Sequence, residues 1–121
     1  MKAILREISK IKTGAVAKQI LDGDAVYLQA KHFDELGQLE ATLHRDLVLD
    51  ASLEKHLLKH GDVLFAAKGS KNFAACYEGK NPPAVASTSF FVIRISERFK
   101  EALLPEFLAW YINQPTPLQF L

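Results

Sequence analysis

The chain has 121 residues, 49% hydrophobic and 24% charged, the makeup of one ordinary globular domain spanning 1–121 with enough apolar material for a core. Fifteen Lys plus Arg against fourteen Asp plus Glu leave a formal net charge of +1, so no whole-molecule field selects a polyanion and any such preference must be local. The lone cysteine, Cys76, excludes an intrachain disulfide and fits a reducing compartment. The start MKAILREISK has no signal-like apolar run and no segment approaches the ~20 apolar residues of a membrane span, so a cytoplasmic location is expected.

In chain order, Ile4, Ile8 and Ile11 fall at helical spacing, which predicts a short helix or a strand leading into one before Gly14 breaks the pattern. AVYLQA (25–30) is short, apolar and preceded by Gly23-Asp24, as a buried strand would be. KHFDELGQLEATLHRD reads as a loop with a hairpin or short strand. Asp50 to Ser52 can cap a helix over SLEKHLLKH, with Leu53, Leu57 and Leu58 inward and Gly61 at its end. VLFAA (63–67) and FAACY (73–77) predict a β-hairpin, with Gly69 able to take positive φ in its turn.

Residues 78–83 should form a loop, because paired prolines cannot donate to a ladder. STSFFVIRI (87–95) is the strongest strand in the chain. LPEFLAWYINQ (104–114) has Pro105 at a helix start, and its stripe Leu104, Phe107, Leu108 and Tyr111 is expected to pack on the sheet. The sum is an α/β chain of α+β type: a mixed sheet with a hairpin and a C-terminal helix.

Charge is unevenly spread. Residues 1–21 carry five bases against one acid, and residues 22–58 carry eight acids against three bases. From 59 to 80 there are again four bases against two acids, so a fold joining the first and third stretches would have one positive face.

The ordered set LLKHGDVLFAAKGS, AVASTSFFVIRI and LLPEFLAWYINQP, preceded by GAVAKQI and AVYLQAKHFD, resembles the target recognition domain of the specificity subunit of type I restriction-modification systems. The likeness runs from about Ile4 to Gln114. It implies an α/β domain that reads half of a bipartite target in double-stranded DNA, without catalysis or cofactor. The implied partners are the methyltransferase (modification) and restriction subunits, together with a second recognition domain or a homodimer mate, and no membrane. The long helices that join two such domains in a complete subunit are not evident in this sequence. A second class stays open: a truncated or derived protein-interaction domain that keeps the fold but not DNA binding.

The residue types suit that expectation. Phosphate contacts call for Lys or Arg, hydroxyl and amide donors and close backbone approach, and base edges are read by Asn, Gln, Arg and Lys. Lys68, Gly69, Ser70, Lys71 and Asn72 supply these together; Gln29, Lys31 and His32 supply a second set, and Lys12 and Lys18 belong to the basic N-terminal stretch. Catalytic signals are weaker. NPPA (81–84) is similar to the Asn-Pro-Pro-aromatic motif of amino-methyltransferases, but its last residue is Ala84 and no glycine-rich cofactor loop accompanies it. KGSK lacks the order of a nucleotide-binding loop. His56 and His60 have no evident third metal ligand, Cys76 suits a small core position, and Trp110 and Tyr111 read as core or interface aromatics.

Overall fold

A computed structural model describes residues 9–34, 38–40, 42–66, 73–79, 83–99 and 103–113. Its described elements are β1 (Ser9–Thr13), β2 (Val26–Leu28), α1 (Ala51–Glu54), β3 (Val63–Ala66), β4 (Phe73–Cys76), β5 (Ala84–Ala86), β6 (Phe90–Ile95) and α2 (Pro105–Ile112). β1, β6, β3 and β4 form an antiparallel sheet in that order, while β2 and β5 pair in parallel as a separate two-stranded sheet. The expected α+β class holds, with parallel and antiparallel pairs divided between two sheets.

Register sets which residues share a face. β6 places Arg94 opposite Lys10, Val92 opposite Lys12 and Leu64, and Phe90 opposite Ala66. On this face Leu64, Ala66, Phe90 and Val92 pack against Val26, Leu28, Ala84 and Ala86 of the small sheet. The opposite face offers Val63, Phe65, Ala74, Ile93 and Ile95 to Leu108, Ala109 and Ile112 of α2. A third cluster, Ala15, Ala25, Tyr27, Leu47 and Val85, seals the other side of the parallel pair. All three residues of β2 and all three of β5 are buried, the condition in which short parallel strands lose their alternating pattern.

Gly14 makes the junction between layers possible. A Cβ there would lie 1.9 Å from the carbonyl oxygen of Ser87, so only glycine lets the chain leave β1 across the end of β5. Its N–H donates to Phe90 O (3.0 Å), and the next N–H, of Ala15, donates to Ala86 O (2.9 Å).

Several expectations are corrected. Ile11 belongs to a strand, not to a helix: β1 is held by its ladder with β6, and tertiary pairing overrides the helical spacing. The helix over 52–60 stops after one turn. Asp50 caps it through Leu53 N (2.9 Å), but after a turn at 55–56 Leu57 bridges to Val85 and Leu58 N donates to Ala84 O, so the segment pairs against the small sheet instead of continuing the helix. β5 (Ala84–Ala86) falls between the loop read over 78–83 and the strand read over 87–95, where no element was expected. The stripe of α2 is rotated: Leu108, Ala109 and Ile112 face the sheet, whereas Leu104, Phe107 (51% accessible) and Trp110 (57%) face outward. Phe107 instead stacks on its own helix, 5.7 Å from Trp110 and 6.1 Å from Tyr111. The hairpin pairing of β3 with β4 agrees with the sequence reading. β4 is an edge strand, and the Asn113 carboxamide covers part of that edge, accepting from Ala74 N (2.7 Å) and donating to Ala74 O (2.8 Å).

Candidate nucleic-acid interface

The five residues singled out first, Lys68, Gly69, Ser70, Lys71 and Asn72, lie outside the described residues. The strand ends that flank residues 67–72 are placed: Ala66 and Phe73 are the last pair of the β3–β4 ladder. Phe73 is fixed by an aromatic trio, 5.3 Å from Phe33 and 6.2 Å from Phe90, with Phe33 and Phe90 5.6 Å apart. Edge and tilted packing of this kind adds about 0.5–1.5 kcal/mol per pair beyond burial.

The same trio ties down the second set. Phe33 follows a short 3-10 turn, Ala30–His32, at the carboxyl end of β2. There Gln29 N donates to His32 Nδ1 (3.0 Å), which leaves Nε2 to carry the proton of the neutral ring. Lys31 is exposed, while the Gln29 Oε1 atom is buried without a hydrogen-bond partner. Beside it, the carboxyl end of β5 turns through Ser87 and Ser89, whose hydroxyls are 2.6 Å apart. Gln29, Lys31 and the base of the β3–β4 hairpin therefore emerge from one end of the packed sheets.

Lys12 is placed elsewhere. It projects from the middle of β1, and its Nζ donates to the Lys55 carbonyl (3.4 Å). Lys18 is exposed on the loop between Ala15, anchored beside Ala86, and Ile20, whose N–H donates to Asp46 O (2.8 Å).

Around Lys12 lies a surface that sequence reasoning did not assemble. Close to it, a cleft of about 620 Å³ has Lys10, Lys59, His60, Asp62 and Arg94 in its lining, together with Glu97 and Glu106. Its floor is a fork: Arg94 Nε and Nη2 each reach an Asp62 oxygen at 2.8 Å. Asp62 is 1% accessible and also accepts from Lys59 N (2.8 Å), and Arg94 Nη2 donates to Leu57 O (3.3 Å). Asp62 thereby holds Arg94 above the usual guanidinium range. His56, beside this surface, is pushed below its usual value first by burial and then by the charges of Lys12 and Lys55. The available signal was the i, i+2 spacing of Lys10 and Lys12, which only a strand puts on one face.

The remaining candidates take structural places. Ala84 of NPPA is the first residue of β5 and is buried in the core. Cys76 sits on β4 with its thiol pushed up to about 11, chiefly by burial and then by Glu106. His60 Nδ1 pairs with the Glu78 carbonyl, away from His56. Among the described residues no helix is long and apolar enough to cross a membrane. No protein-family model matches the chain, and no curated protein matches it in sequence.

Proposed function

We propose that the chain is a non-catalytic DNA-recognition domain of the kind that serves the specificity subunit of type I restriction-modification systems, reading half of a bipartite target. In that role it works in the cytoplasm with modification and restriction subunits. The observation that carries the reading is the common origin of Gln29, Lys31 and the hairpin base at one end of the sheets, fixed by Phe33, Phe73 and Phe90. A rigid platform under loops of this chemistry is what base readout requires, since the contacts must arrive in register with base edges. Lysines 68 and 71 would take phosphates, Gly69 would allow close backbone approach, and Ser70, Asn72 and Gln29 would donate to or accept from bases.

Titration of the full chain with mixed-sequence duplex at several salt concentrations tests this. Replacing Lys68 and Lys71 by Ala should weaken binding to all sequences alike and flatten the log K against log salt slope by about two units. Equal affinity and slope in that variant would remove the hairpin turn from the interface. The second reading, a protein-interaction domain, is favoured by the outward Leu104, Phe107 and Trp110 of α2. Absence of duplex binding, alone and with the partner subunits, would select it.

A further inference from the structure

Building on the DNA-binding reading, we propose that Lys10, Lys12, Lys55 and Lys59 form a second, sequence-independent phosphate contact of the domain, with Asp62 and Arg94 as its positioning pair. All four lysines are exposed. They come from two segments: Lys12 Nζ reaches Lys55 O directly, and Arg94, the ladder partner of Lys10, ties the second segment to the sheet through Leu57 O and through its fork with Asp62, which also accepts from Lys59 N.

Lys10 and Lys12 lie on one face of β1, about 6.6 Å apart along the strand from its usual rise. Lys59 and Lys10 line the same cleft, and Lys55 lies against Lys12. Two rows of ammonium groups on fixed backbone have less freedom to lose than lysines on loose loops, which favours a repeating anion such as a nucleic-acid strand.

The charge balance points the same way. Asp62 sits beside the lysines, accepting from Lys59 N, and Arg94 already neutralises it. The other acids nearby are Glu54 on α1 and, in the lining of the cleft, Glu97 and Glu106. The lowered proton affinity of His56 comes first from burial and then from the charges of Lys12 and Lys55, which places both lysines beside it. Because this surface is separate from the loops at the other end of β6, it adds affinity without adding sequence preference.

The test uses the full chain and a labelled mixed-sequence duplex between about 50 and 200 mM salt. The pairs K10A/K12A and K55A/K59A should each flatten the log–log salt slope by about 1.8 units, and the quadruple variant by about twice that, with preference between sequences unchanged. K55R/K59R, which keeps the charges, should keep the slope, and the thermal midpoints of all the variants should stay at that of the wild type, as exposed positions allow. If wild type binds and the quadruple variant keeps its slope, the contact is wrong while the DNA-binding reading stands. A change of sequence preference without a change of slope would make these lysines base readers and also overturn it. No duplex binding by wild type removes both readings, and binding of a polyglutamate probe in its place would assign the surface to an acidic protein.

Discussion

Along β6, Phe90, Val92 and Arg94 point to the same face of the sheet, yet the two ends of that face are closed in opposite ways. At one end Phe90 is 0% accessible, opposite Ala66 and under the small Ala84 and Ala86 of the parallel pair. At the other, the small sheet gives way to the turns and short bridge of segment 55–60, and the seal is polar, an Arg94–Asp62 fork with lysines around it. The apolar end supplies stability through area removed from water, about 1.5–3 kcal/mol per large side chain. The polar end supplies placement, since a buried ion pair roughly breaks even in energy but fixes the backbone atoms it touches.

The largest way to break this contrast is Phe90→Ala. It should destabilise the fold by about 3–5 kcal/mol, because the trio with Phe33 and Phe73 cannot close over the cavity. Phe107→Ala, on an exposed ring of similar size, should cost less than about 1 kcal/mol. Equal losses in urea unfolding would mean that the two rings are equally buried. At the polar end, Asp62→Ala leaves Arg94 and Lys59 N without their acceptor. A loss of about 3 kcal/mol is expected, at the low end for a broken buried pair because Arg94 is only half-buried. A change below about 1 kcal/mol would show that water replaces the carboxylate and that the fork has no positioning role.

What the sequence made legible follows the same division. β6 and the β3–β4 hairpin were readable because dense β-branched and aromatic residues leave few alternatives. β5 was not, since it is only three residues long, with Ala84 and Ala86 of weak strand propensity, and it becomes a strand by pairing with β2 and accepting Leu58 N. The rotation of α2 was hidden because apolar residues occupy nearly its whole circumference, so spacing alone could not choose between Leu108 with Ile112 and Leu104 with Phe107. At the site, loop chemistry was visible in single short stretches. The lysine surface was not, because it pairs residues 10 and 12 with 55 and 59 through Arg94 and Asp62, whose long-range contact has no local signature.

The smallest effect is the sharpest probe of the polar end. Burial and the charges of Lys12 and Lys55 hold His56 below its usual value of 6.5, so the unfolded chain takes up this proton first as pH falls. The sign follows from linkage: His56 contributes its full stability above about pH 6.5 and loses it progressively as pH drops through the interval down to the folded value. Lys12→Ala removes one of the two cations and should move the titration of His56, followed by NMR, back toward 6.5. Bound duplex should do the same by placing phosphate charge beside both lysines. Reciprocity then requires tighter DNA binding at lower pH within that interval, with the dependence weakened in Lys12→Ala. A His56 titration that duplex leaves unmoved would put the phosphates elsewhere, even if the protein binds DNA through its loops.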